Sequence, residues 1–166
     1  TGSGKSTLLN ILLGFLKPSS GVVTIDDFDI HQEQTNLSHV IGFVPQDIFL
    51  LEDSIAKNIA FGTPSELIDF TKLKRAIKEA GLESFIKKAR LGIDTPVGER
   101  GIQISGGERQ RIGIARAFYF GAKILVFDEA TSALDEKTER LIMQNIRSLK
   151  GRYTLFIVAH RLTTLS

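Results

Sequence analysis

Two patterns of apolar residues alternate along the chain, one typical of helices and the other of buried strands. Residues 6–13 are apolar at most positions, which predicts a helix buried on most sides. Residues 124–127 and 154–159 form uninterrupted apolar runs, as expected for parallel strands that are covered on both faces. Shorter runs at 22–25 and 40–44 predict two further strands.

The middle of the chain has helical spacing instead, with Lys and Arg on the open faces. The helices predicted there cover residues 54–61, 71–80, 82–89 and 106–120. A further helix joins the last two strands, and its apolar stripe consists of Leu141, Ile142, Ile146 and Leu149. Because strand–helix–strand units build parallel sheets, we predict an α/β core into which an all-helical segment is inserted.

The composition is that of an ordinary globular domain. Of the 166 residues, 42% are hydrophobic and 24% are charged, and the formal net charge is only +2. So small an excess gives no electrostatic argument for nucleic-acid binding. The absence of cysteine excludes disulfides, cysteine-based zinc sites and thiol catalysis. No apolar run approaches the ~20 residues that span a bilayer, and both ends stop abruptly beside predicted elements, so we expect a partial domain.

A glycine-rich turn at the start of the chain carries the first candidate site. Gly2-Ser3-Gly4-Lys5-Ser6-Thr7 matches the end of the phosphate-binding loop G-x-x-x-x-G-K-[ST]. Glycines let successive backbone N–H groups point at phosphates, and the helix that follows adds its positive end. Lys5 would reach the β- and γ-phosphates, and the Ser6 hydroxyl would bind Mg²⁺. The alternative is a simple Gly/Ser turn with an exposed lysine.

Two acids end the apolar strand at 124–127. Ligands of open α/β sheets bind beyond the carboxyl ends of the strands, where Asp128 and Glu129 emerge. Asp128 can hold Mg²⁺, and Glu129 can take the proton of an attacking water. The alternative is that both acids only cap the next helix, a reading that the phosphate loop makes less attractive.

Gln46 and His160 follow two other predicted strands. A Gln46 amide could contact both Mg²⁺ and the water, and a His160 imidazole could hydrogen-bond the γ-phosphate. Each residue alone is more often structural. They become candidates because all these strand ends should converge on one crevice.

A second glycine pair opens the helix at 106–120. Ser105 is a suitable N-cap, and Gly106 and Gly107 leave the N–H groups of the first turn uncovered, which makes a second anion site. Ordinary capping is the alternative. A chain with one phosphate-binding feature on each lobe suggests that two copies meet head to tail, with each nucleotide between them.

Together these motifs resemble the ABC (ATP-binding cassette) ATPase family, in the order of the family and over nearly the whole chain. The matching segments are Gly2–Thr7 (Walker A), Gln46 (Q-loop), Ile104–Glu108 (signature), Asp128-Glu129 (Walker B), Ser132–Asp135 (D-loop) and His160 (switch histidine). The resemblance implies a P-loop, RecA-like core at 1–46 and 121–166 and an inserted helical subdomain at 47–120. It also implies an ATPase that uses ATP and Mg²⁺.

The resemblance assigns roles as well. Glu129 is expected to be the general base, with His160, Gln46 and Lys5 as the other catalytic groups. Mg²⁺ is expected at Ser6, Gln46 and Asp128. The dimer is expected to close on two ATP molecules. Cross-dimer contacts to nucleotide would then come from Ser105, Gly106, Gly107, Glu108 and Asp135.

Two segments are similar to exporters: residues 53–59 and residues 97–101, just before the signature. They imply export or flipping across a membrane by a transporter whose membrane domain is fused upstream, with this domain on the cytoplasmic face of the cell membrane. The main alternative is a soluble ABC ATPase that acts on nucleic acid or the ribosome. An importer subunit and a nucleotide sensor without hydrolysis are the other two.

The sequence departs from the family pattern at a few positions. Glu108 replaces the usual Gln of the signature and puts an acid near a polyphosphate, and Ile104 replaces Leu. Asp27 stands in a turn where these proteins commonly have Gly. No departure removes a catalytic group, so we expect an active site.

Overall fold

The computed structural model describes residues 4–32, 37–98, 104–128, 144, 147 and 151–158. The helices within this part are α1 (Lys5–Leu12), α2 (Ile55–Ile59), α3 (Phe70–Glu79), α4 (Glu83–Lys88) and α5 (Gly106–Tyr119). The strands are β1 (Thr24–Ile25), β2 (Phe28–Asp29), β3 (Ile41–Val44), β4 (Ile124–Asp128) and β5 (Thr154–Val158). Each predicted helix and strand in the described residues is confirmed, with boundaries that differ by at most two residues.

Strands β3, β4 and β5 form a parallel sheet in that order, with Val44 opposite Phe127 and Asp128 opposite Val158. The two faces of β4 are covered by different groups, because Leu125 and Phe127 belong to the main core and Val126 to a smaller cluster. The parallel α/β core predicted from the apolar runs is therefore confirmed. Strand β5 is less covered than predicted, since Phe156 is 41% exposed.

Helix α1 packs on one face of this sheet. Its Leu9 and Leu13 join Val126 in the smaller cluster. Burial on most sides, as predicted for this helix, is wrong, because Leu8 is 58% exposed. Leu12 is half-buried, so the cover of this helix is partial.

Helices α2 to α5 lie between β3 and β4 in the chain, and α5 returns to the sheet. Ala117 of α5 packs directly on Gly42 of β3, where an added Cβ would lie 2.5 Å from that of Ala117. A hydrogen bond of 2.6 Å from Tyr153 to Glu79 ties α3 to the start of β5. The division into a core at 1–46 and 121–166 and a helical subdomain at 47–120 remains a prediction.

The hairpin of β1 and β2 turns at Asp26 and Asp27, whose φ angles are 49° and 68°. Such positive angles favour glycine, which explains why an aspartate at position 27 is unusual for this turn. The predicted helix at 141–149 lies outside the described residues, apart from Gln144 and Arg147, which are helical. Within the described part, no helix combines the length and apolar character that a membrane crossing requires.

Candidate active site

The N-terminus of α1 is open. Gly4 is its N-cap residue, in a left-handed conformation with φ of 79°, and no side chain caps the helix. Gly4, Ser6 and Thr7 are exposed. A Cβ at position 4 would meet no atom within 4 Å, but the backbone angle itself selects glycine. A glycine N-cap supplies no side chain to bond to the first turn, a feature that anion sites at helix ends share.

Gln46 and Asp128 lie at the same edge of the sheet. Asp128 is the last residue of β4, one position beyond the final β3–β4 pair of Val44 with Phe127. Gln46 follows Val44 by two residues and is exposed, whereas Asp128 is half-buried. The parallel pairing of their strands therefore brings these two candidates to the carboxyl edge, where ligands of such sheets bind.

Other candidates lie outside the described residues. These are Gly2, Ser3, Glu129, Asp135 and His160. The roles assigned to them stay predictions, as does the convergence of Lys5, Gln46, Asp128, Glu129 and His160 on one nucleotide.

The N-terminus of α5 differs from that of α1 because it is closed on itself. Ser105 Oγ accepts a hydrogen bond of 3.3 Å from the Glu108 N–H. The Glu108 carboxylate accepts two bonds from Ser105, one of 2.9 Å from its N–H and one of 2.8 Å from its hydroxyl. This is a capping box, the ordinary arrangement that the sequence left open as an alternative. Ser105 and Gly106 are exposed and Gly107 is buried.

The two segments that resemble exporters are joined by hydrogen bonds. The N–H of Val97 donates to the carbonyl of Asp53 at 2.8 Å, and the N–H of Ile55 donates to the carbonyl of Thr95 at 3.1 Å. The hydrogen bond from the Ser54 N–H and the bond and ion pair with Lys57 lower the pKa of Asp53. Segments far apart in the sequence are thus paired through their backbones.

Sequence reasoning missed two polar residues that contact the segment after Gln46. Asn58 is fully buried, and Arg116 of α5 donates to backbone carbonyls of the segment that follows Gln46. An asparagine at helical spacing from Ile55, on the apolar face of the predicted helix, was the available signal for Asn58. No local pattern distinguishes Arg116 from the other arginines of α5.

Comparison with known proteins decides the family. A family model described as "ABC transporter" matches residues 1–132. The chain belongs to the ABC transporter family. It is 44% identical over 167 residues to "ABC transporter ATM1" of Toxoplasma gondii, with 100% of this chain covered. It is 46% identical over 166 residues to the "ATP-dependent lipid A-core flippase" of Saccharophagus degradans, with 99% covered.

A solved structure agrees with this assignment. The chain matches a structure titled "Structure of a bacterial Atm1-family ABC exporter with ATP bound" with a TM-score of 0.82, 43% identity and 99% of this chain covered. The ABC fold and the enzyme class predicted from sequence are therefore confirmed: this is an ATPase domain of the ABC type. The chain spans only 15% of the Toxoplasma protein, 28% of the flippase and 29% of the structural match.

The donor chemistry of the ABC domain fits Mg²⁺. An exposed Ser6 hydroxyl, an exposed Gln46 amide and a half-buried Asp128 carboxylate offer the oxygen atoms that this hard cation prefers. In the described part of the chain, no group of three His, Cys, Asp or Glu side chains is arranged to hold a metal ion.

Proposed function

We propose that this ABC domain binds ATP with Mg²⁺ at the N-terminus of α1 and hydrolyses it to drive export or flipping of a substrate across a membrane. The observation that carries the proposal is the uncapped start of α1 at Gly4, in a chain of the ABC family. Relatives that are named as an exporter and a flippase favour a transporter over the soluble alternative.

Each candidate residue has a role in this proposal. Lys5 binds the β- and γ-phosphates, and the N–H groups after Gly4 donate to the same oxygens. Ser6, Gln46 and Asp128 hold the cation. Mg²⁺, when bound, neutralises charge on the phosphates.

Hydrolysis needs a proton acceptor and a group that orients the reaction. Glu129 accepts the proton of the attacking water, and His160 donates a hydrogen bond to the γ-phosphate. Gln46 orients the water from the neighbouring strand end. These roles rest on the sheet edge where β3 and β4 end side by side, and on the resemblance of the motifs.

A second ABC domain completes the site in this proposal. Ser105, Gly106, Gly107 and Glu108 of one copy contact the nucleotide held by the other, with Asp135 between them. The short share of each relative that the chain covers supports a membrane domain on the same polypeptide. We therefore propose that the domain lies at the cytoplasmic face of the cell membrane.

The decisive experiment is Glu129→Gln in the full-length protein. We expect ATP binding to stay within a factor of about two while hydrolysis falls by about 10²–10⁴, the usual contribution of a general base. A fluorescent nucleotide titration measures the first and phosphate release the second. The exposed Glu66, in the turn Ser65–Leu67, provides a matched Glu→Gln control that should change neither. Full turnover in Glu129→Gln would refute the assignment.

A further inference from the structure

The segment at residues 47–54 connects Gln46 to α2, and two of its apolar side chains are buried. Ile48 and Leu50 are 5% and 2% exposed. Gln46 itself is exposed at the end of the sheet. The position of Gln46 is therefore governed by what holds the residues immediately after it.

Arg116 of α5 binds this segment and the end of α2 through backbone carbonyls. Its Nη2 donates to the carbonyl of Phe49 at 3.1 Å, and its Nε donates to the carbonyl of Asn58 at 3.0 Å. The guanidinium also lies 4.5 Å from the ring centroid of Phe61. A planar fork that serves two carbonyls at once, and stacks on a ring, is a geometry that lysine cannot reproduce.

Asn58 binds the same segment through its side-chain amide. Its Oδ1 accepts a bond of 2.8 Å from the N–H of Leu51, and its Nδ2 donates to the carbonyl of Leu51 at 3.1 Å. Nδ2 also reaches the carbonyl of Ser54 at 3.0 Å. Because Asn58 is fully buried, these bonds are shielded from water and costly to leave unmade.

Gly113 supplies the third contact. A Cβ at this position would lie 2.5 Å from Cδ1 and 3.1 Å from Cγ1 of Ile48. The side chain of Ile48, two residues after Gln46, thus packs directly on the backbone of α5. Any larger residue at position 113 must displace Ile48.

Helix α5 begins at the signature motif, so these contacts link two parts of the site. From these contacts, we infer that Arg116, Asn58 and Gly113 fasten the segment after Gln46 to the signature helix, so that Gln46 and the Ser105 end of α5 shift together. The inference rests on the proposed roles of Gln46 and Ser105. Arg116 lies about 16 Å along the helix axis from Ser105, so it is a positioning residue that does not touch phosphate there.

Two substitutions test this inference in the full-length protein. Arg116→Lys keeps the charge but removes the fork, and Gly113→Ala displaces Ile48 at a position where helix propensity favours alanine. For each we expect kcat to fall about tenfold with KM for ATP changed less than about twofold, since a misplacement of about 1 Å near reacting groups can cost a hundredfold. Arg75→Lys, on the outer side of α3, is the matched control and should leave both unchanged.

Combination with Gln46→Ala separates positioning from a general loss of structure. If Arg116 acts through Gln46, then Arg116→Lys in the Gln46→Ala background should change kcat by less than about twofold. The same is expected of Gly113→Ala. Independent, multiplying effects would overturn the inference, as would unchanged kcat in both single variants.

The outcomes distinguish this inference from the proposed function. If Glu129→Gln retains turnover, the proposed site itself fails. If Glu129→Gln is inactive and Gln46→Ala is slow, but the positioning variants multiply with Gln46→Ala, only the inference fails. If Arg116→Lys does not fold, Gly113→Ala tests the same inference.

Discussion

The two helix ends proposed to bind phosphate differ in how their backbone groups are satisfied. At α1, the N-cap is Gly4, which has no side chain with which to cap the first turn. At α5, Ser105 and Glu108 bond to each other in a capping box. At α5 a carboxylate of the chain itself thus occupies the helix end, whereas the N-cap residue of α1 contributes no such group.

The difference indicates an order of events. An anion that approaches α5 must compete with the Glu108 carboxylate for the Ser105 hydroxyl, at a helix end where one acid already contributes about 0.3–1 kcal/mol. The α1 end meets no such competitor among side-chain caps. We therefore expect nucleotide to bind first at α1 and to recruit the α5 end of a second copy afterwards.

Lys5→Ala gives the largest expected effect on ATP binding. Loss of a charged hydrogen-bonding group costs about 1.5–3 kcal/mol, which corresponds to roughly a 10- to 100-fold weaker affinity for ATP. An ATP titration of the full-length protein measures it. Lys17→Ala, at an exposed lysine just after α1, should bind normally. Undiminished ATP binding in Lys5→Ala would mean that the N-terminus of α1 is not the phosphate site.

Gly4→Ala tests the backbone of the open end. With φ at 79°, alanine should cost about 1–2 kcal/mol in folding stability. Gly106→Ala at the start of α5 should not lower stability, since alanine is the better helix former by about 1 kcal/mol. Thermal melting of the two variants compares the ends directly. Equal melting temperatures would show that the left-handed N-cap has no special cost.

Tyr153→Phe should change stability and leave both helix ends as they are. The lost hydrogen bond to Glu79 should cost about 1 kcal/mol. Melting should reveal that loss, and an ATP titration should show unchanged affinity. A change in ATP affinity would mean that the link between α3 and β5 reaches the site.

The hydrogen bond between Tyr153 and Glu79 also predicts how stability depends on pH. Burial alone would raise the pKa of Glu79, but the bonds from Tyr153 and Arg75 outweigh it and lower the pKa below 4.5. Its stabilising contribution is thus present above pH 4.5 and is lost as the pH falls through the lower folded-state pKa. The difference in melting between wild type and Tyr153→Phe should shrink in that acidic range and persist at neutral pH.

Glu108→Gln gives the smallest expected effect. The amide keeps an acceptor for Ser105 and removes the negative charge, which is worth about 0.3–1 kcal/mol or up to about fivefold in the ATP concentration for half-maximal hydrolysis. That concentration should fall. Glu83→Gln, in the first turn of α4, is the matched control and should not alter it. A higher concentration in Glu108→Gln would mean that the acid assists binding.

Local features of the fold were predictable from the sequence. Helix starts such as Ser54, Asp69 and Ser105 carry side chains that bond to their own first turns, so neighbouring residues alone reveal them. The parallel strands follow from uninterrupted apolar runs in the same way. The candidate site could be predicted from the sequence because each of its motifs is a short run of neighbouring residues.

Contacts between distant residues could not be predicted. Arg116 meets a carbonyl 67 positions earlier, and Tyr153 meets Glu79 74 positions earlier. The sequence contains several arginines with the same local surroundings, and only the packing of α5 on the segment after Gln46 selects one of them. The exposure of Leu8 was missed for the same reason, because neighbours in space decide burial.

A structure of the full-length Glu129→Gln protein with ATP and Mg²⁺ tests the central claim most directly. We predict phosphate oxygens at about 3 Å from the first-turn N–H groups of α1, with Ser105 of the second copy on the opposite side of the same nucleotide. A nucleotide bound away from Gly4 and Lys5, or one contacted by Ser105 of its own chain, would contradict the account.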